Sequence, residues 1–98
     1  MGPVIWTPSA VQELNSAADY IALDSRRYAS ALVQDVREAA RSLSKFAHSG
    51  RVVPEVADTS VREIFVKSYR LIYEIRSDQV VILAFLHGAR EFPPDLSE

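Results

Sequence analysis

An α+β fold, a small antiparallel sheet packed against one helical hairpin, is what these 98 residues predict. Three observations carry that expectation. Two stretches with apolar residues at three- and four-residue spacing follow one another with a very short link, which makes an antiparallel helix pair. After Gly50 the apolar period changes from 3.6 to 2. Three runs rich in Val, Ile, Tyr and Phe then follow in close succession and read as strands.

Each element has its local reason. Val4 to Trp6 is a short apolar run that suits a brief strand, with Trp6 packing into the core. Thr7 is placed to cap a helix whose first residue is Pro8, and Ser9 with Gln12 offers an alternative capping box. Val11, Leu14, Ala18 and Ile21 form one face of that helix. Asp24 or Ser25 caps a second, with Tyr28, Leu32, Val36, Ala39, Leu43 and Phe46 as its apolar stripe. Ser49-Gly50 ends it, Gly50 being expected at a left-handed C′ position, so the hairpin spans residues 8 to 49.

The loop "GRVVPEVADTS" leads into "VREIFVKS", "YRLIYEIRS" and "QVVILAFLH". Ser77-Asp78 makes a tight turn between the last two. Along the middle strand Arg70, Ile72, Glu74 and Arg76 share one face, and Leu71, Tyr73 and Ile75 share the other, which packs on the helices. The last strand is apolar on both faces, as a central strand is. Gly88 gives backbone freedom where that strand turns away. The order is strand, helix, helix, strand, strand, strand, in a single domain over residues 1–98.

Composition narrows the function classes. The cysteine count is zero, so disulfides and thiolate metal sites are excluded, and a reducing compartment fits. No run approaches the roughly 20 apolar residues of a membrane span, and no basic-then-apolar leader opens the chain. A cytoplasmic protein is the expectation. Net charge is −2, unevenly spread. Residues 26 to 51 hold Arg26, Arg27, Arg37, Arg41, Lys45 and Arg51 against the acids Asp35 and Glu38, whereas Glu91, Asp95 and Glu98 make the last residues acidic. The whole chain lacks the basic excess of a protein that binds nucleic acid mainly through phosphates, which leaves only local patches.

From about Trp6 to Arg90 the chain resembles the RelE/ParE superfamily of bacterial toxins, on "GRVVPE" (50–55), "REIFVKSYRLIYEI" (62–75) and "VVILAFLHGAR" (80–90). That resemblance implies a β-α-α-β-β-β fold, the order that the apolar periods give independently. It also implies the toxin of a type II toxin–antitoxin system, a growth inhibitor wrapped and silenced by a cognate antitoxin in a hetero-oligomer. Two activities are known in the superfamily: RelE-like members cut messenger RNA on the ribosome, and ParE-like members poison DNA gyrase. No cofactor is implied by either.

Metal-free RNA cleavage needs a base for the 2′-hydroxyl, cations for the phosphorane and a donor for the leaving oxygen. By the resemblance, Arg70 matches the nuclease's strand arginine and Arg90 the arginine past the last strand, with His87 as base or acid near neutral pH. The rest of that machinery is missing. Arg62 stands in its strand without paired lysines, Lys67 falls at the far end, and no tyrosine follows Arg90. Arginine also holds its proton too tightly for a general base. A pI of about 5.6 suits a ribosome-bound nuclease poorly. The sequence reading therefore prefers a ParE-like binder of DNA gyrase over an enzyme. The alternatives are a ribosome-dependent endoribonuclease using Arg70, Arg90 and His87, and a member that has lost toxicity and only binds its partner. Arg51, Glu55, Arg62 and Arg76 are the candidates for contacting target or antitoxin. Each has a plainer reading: Arg70 and Arg76 as a surface network around Glu74, His87 as a structural strand-end residue, the helix-two arginines as a solvated face, and "GRVVPE" as a docking turn in which Glu55 pairs with an arginine.

Overall fold

The computed structural model describes residues 2–88. Its elements are β1 (Val4–Trp6), α1 (Pro8–Ala22), α2 (Arg26–Ser42), a 3₁₀ turn (Ala47–Ser49), β2 (Arg51–Val52), β3 (Val61–Val66), β4 (Tyr69–Ile75) and β5 (Val80–His87). The strands form one sheet in the order β1-β5-β4-β3-β2. The α+β class and helical hairpin are as expected. The sheet is mixed, however: β1 runs parallel to β5, from Val4 opposite Val80 to Trp6 opposite Ile82. A return in the same direction is available because the whole helical hairpin lies between β1 and the later strands. The two-residue β2 was not legible in the loop it belongs to.

Capping follows local chemistry. Thr7 accepts the Ala10 N–H at 3.2 Å, with Pro8 at the first helical position. Of the two candidates for α2, Ser25 is the cap, accepting from Tyr28 N–H at 3.2 Å. Burial in α1 falls on Ala10 and Leu14, with Ala17 and Ile21 packed against the same core. Val11 is 41% exposed, so the buried face is turned one residue from the expected stripe.

In α2 the core positions are Ala29, Leu32, Val36 and Ala40, continued by Leu43. Tyr28 and Phe46 do not join them; they are 70% and 62% exposed. Phe46 lies past the helix, which stops at Ser42, and so leaves the 3.6-residue register. Gly50 does not adopt a left-handed conformation, its φ being −77°. Close approach explains it instead: a Cβ there would stand 2.5 Å from Tyr73 Oη and 2.7 Å from the Glu63 carbonyl oxygen. Gly88 likewise lacks a positive φ; its N–H donates to Ser68 O at 2.7 Å.

β3, β4 and β5 form an antiparallel meander, and the Ser77-Asp78 turn joins Ile75 to its partner Val80. The register shifts between Ile72, opposite Ala84, and Tyr73, opposite Ile82, so Leu83 is the extra residue of a bulge. There β1 gives way to α1: Thr7 N–H donates to Ile82 O at 3.1 Å. Two apolar clusters result. One lies between the helices and the sheet, around Leu32, Val36, Leu43, Leu71, Tyr73 and Ile82. The other joins Val61, Ile72, Ala84 and Leu86 on the opposite face to Val53 and Val56 of the loop before β3. That loop therefore covers a sheet face which period-two reading left to solvent.

Candidate functional site

The second face holds most of the charged candidates. On β3, Val61, Glu63 and Phe65 share the sheet face against which Val53 and Val56 of the covering loop pack. Glu63 is 1% exposed, an acid where the alternation asks for an apolar residue. Arg51 of β2 sits directly opposite it in the ladder. Arg70 of β4 pairs with Phe65 and so reaches Glu63 on the diagonal. Both arginines close on the carboxylate: Arg51 Nε donates to one oxygen at 2.5 Å and Arg70 Nε to the other at 2.6 Å. Arg70 then presents its terminal nitrogens to Glu55, two parallel bonds of 3.2 Å each.

Burial separates the two arginines. The Arg70 side chain is 7% exposed and that of Arg51 60%, the latter lying over the Phe65 ring at 5.6 Å. Burial pulls the Arg70 pKa down, but the Glu55 and Glu63 carboxylates outweigh it and hold the guanidinium above its usual value. The same Arg70 hydrogen bonds hold the Glu55 carboxyl below its ordinary range. Arg70 is thus a fixed cation between two acids.

The other predicted residues are dispersed. Arg62 turns to backbone, donating to Thr59 O at 3.2 Å and Gly50 O at 3.0 Å, and so fastens the 3₁₀ turn to β3. Arg76 pairs with Glu74 at 2.9 Å near the β4–β5 turn, as expected of the surface network, but Arg70 is not part of it. His87 is exposed at the end of β5, edge-on to Tyr69 at 5.3 Å, and Tyr69 stacks on Phe85 at 4.8 Å. Arg90 lies outside the described residues. Arg51, Glu55 and Arg70 therefore come together, while His87 belongs to a different place.

That place is an open groove of about 640 Å³ between α1 and the end of the sheet, lined by Glu13, Tyr20, Tyr69, Phe85 and His87 among others. Beyond Ile82 no strand pairs with β5 on its β1 side among the described residues, and Glu13 Oε1 accepts the Phe85 N–H at 2.9 Å. Sequence reasoning missed both Glu63 and Glu13. For Glu63 a signal existed, an acid between Val61 and Phe65 on one face of a strand. Glu13, half-buried on α1 beside Leu14, gave none. Among the described residues no group of three or more His, Asp or Glu is arranged to hold a metal ion.

No curated protein matches the chain significantly. Among solved structures, a chain of the chromosomal ParDE toxin–antitoxin system of P. aeruginosa superposes with a TM-score of 0.73 at 23% identity, over 89% of this chain and 96% of that one. The likeness is one of fold. A family model, the ParE toxin of the type II toxin–antitoxin system parDE, matches residues 4–92. With nearly the whole sequence matched, the chain belongs to the ParE toxin family of type II toxin–antitoxin systems.

Proposed function

We propose that this toxin stops growth by binding DNA gyrase while the enzyme holds cleaved DNA, and that it carries out no chemistry of its own. The observation that supports the reading best is the state of Arg70. A nuclease needs its strand arginine open to the scissile phosphate, where it stabilises developing charge. Here Arg70 is buried, fixed to two carboxylates and roofed by the loop carrying Val53 and Val56. An incoming phosphate would have to displace Glu55 and face the buried Glu63, an acid that repels it.

A cognate antitoxin is the partner of a toxin in such a system. The groove of Tyr20, Tyr69 and Phe85, and the exposed Tyr28 and Leu23 at the hairpin tip, give an antitoxin segment apolar surface on which to fold. Gyrase sets the work in the cytoplasm, and no helix of the described residues is long and apolar enough to cross a membrane.

The test is a short pulse of labelled thymidine and methionine in bacteria induced for this protein alone. Thymidine incorporation is expected to fall first, and purified gyrase with the toxin should accumulate cleaved DNA. Collapse of methionine incorporation first would overturn the gyrase reading in favour of the endoribonuclease. Unimpaired growth with soluble toxin present would instead identify a member that only binds its partner.

A further inference from the structure

The helix-two cations are used by nothing described above. In an ideal helix Arg26, Arg37, Arg41 and Arg27 fall within an arc of about 100°, spanning about 22 Å of axis from Arg26 to Arg41. All four are exposed, as is Lys45 in the turn that continues the ridge. None of the five has an ion-pair partner among the described residues. Three acids lie nearby: Asp35 is engaged by Lys67 at 3.3 Å, Asp19 of α1 lines a groove with Arg26, and Glu38 lines one with Arg41 and Lys45, but none of them forms an ion pair with the ridge. In a chain of net charge −2 this is a strong local segregation.

We infer that this ridge binds the phosphate backbone of duplex nucleic acid, without reading its sequence. Three features favour that partner over an acidic protein. The arc between the arginines is filled by Ser30 and Gln34, exposed polar side chains of the kind that donate to phosphate oxygens. It has no apolar centre, which a stable protein interface needs at its core. Four of the five cations are arginines, whose planar fork fits phosphate. Single strands are disfavoured because no aromatic ring lies on the arc for bases to stack on; Tyr28 projects on the other side of the helix. The ridge belongs to the helical layer, on the side of the sheet opposite the loop that covers Arg70, with Arg26 and Ser30 bordering α1 and Arg41 and Lys45 bordering Val4 of β1. This inference does not depend on the gyrase reading, because it concerns the toxin and nucleic acid alone.

Fluorescence anisotropy with a labelled mixed-sequence duplex DNA tests it, beside duplex RNA and polyglutamate. Binding is expected at low salt, with a log–log salt slope of about −3, the value for three to four phosphates neutralised. Arg37→Gln with Arg41→Gln should lower affinity about tenfold or more and flatten the slope by about 2. A charge-matched control, Thr59→Glu with Ser77→Glu on distant exposed loops, should leave the slope unchanged. Preference for DNA over RNA duplex, or the reverse, identifies which backbone the ridge meets, and either supports the inference. Absence of duplex binding at low salt, equal loss in the control, or tighter binding to polyglutamate than to both duplexes would overturn it. Matching thermal melts of the variants exclude unfolding as the cause.

Discussion

Arg70 carries the sharpest contrast between sequence and structure. Period-two spacing put it on the solvent face beside Glu74; the fold buries it against Glu63 and Glu55. Truncating one member of a buried pair leaves a charge without its partner, and the cost is typically about 3–5 kcal/mol. Arg70→Ala is therefore expected to lose a large part of the domain's stability in urea unfolding, and its loss of toxicity would say nothing about chemistry. Replacing both members by apolar residues of similar volume is often neutral or stabilising. Arg70→Met with Glu63→Leu should fold and still inhibit growth. If that double variant folds but is harmless while the thymidine arrest of the parent is intact, Arg70 has a direct functional role and the structural reading fails.

At the scale of elements, Tyr73 ties the end of the helical hairpin to the sheet. Its hydroxyl donates to Ala47 O at 2.6 Å and accepts from Gly50 N–H at 3.0 Å, within a side chain that is fully buried. Burial raises the phenol's pKa, with the Gly50 N–H partly offsetting it, so the hydroxyl stays protonated and keeps its donor role. Tyr73→Phe orphans both backbone groups, and a loss of about 2–3 kcal/mol is expected from equilibrium unfolding. Faster hydrogen exchange should centre on residues 46–51, since those lose their anchor. The same contact explains Gly50, which the helix-stop pattern assigned to the wrong cause. A stop signal in sequence reports that something small is needed there, and only the neighbouring strand reveals what.

The whole domain should show the Glu55–Arg70 pair in its acid limb. Glu55 has its folded pKa lowered by Arg70, so its contribution is fully present above the ordinary carboxylate value of about 4.5 and is lost as pH falls through the folded value. Unfolding free energy measured from pH 7 down to about pH 3 should therefore drop less steeply in Glu55→Gln than in the parent. An unchanged acid limb would mean the pair is screened by water, as exposed ion pairs often are. The Glu55 side chain is 41% exposed, which keeps the expected difference modest.

Much of this molecule was legible from the chain alone, because the deciding forces act over short sequence separations. Thr7-Pro8 and Ser25 start the helices through their own side chains, and Ser77-Asp78 turns one strand into the next. Apolar period separated helix from strand, and the toxin-family resemblance, carried by "GRVVPE", "REIFVKSYRLIYEI" and "VVILAFLHGAR", implied the same order of elements. Four outcomes needed the tertiary structure. They are the parallel docking of β1 on β5, the loop roof over the second sheet face, the burial of Glu63 between Arg51 and Arg70, and the contact of Glu13 with the Phe85 N–H. Each joins groups whose meeting is set by register and by which side of the sheet a loop folds across. A sequence gives the charge and period of a residue, but whether an arginine meets solvent, a phosphate or two carboxylates is fixed by what packs above it.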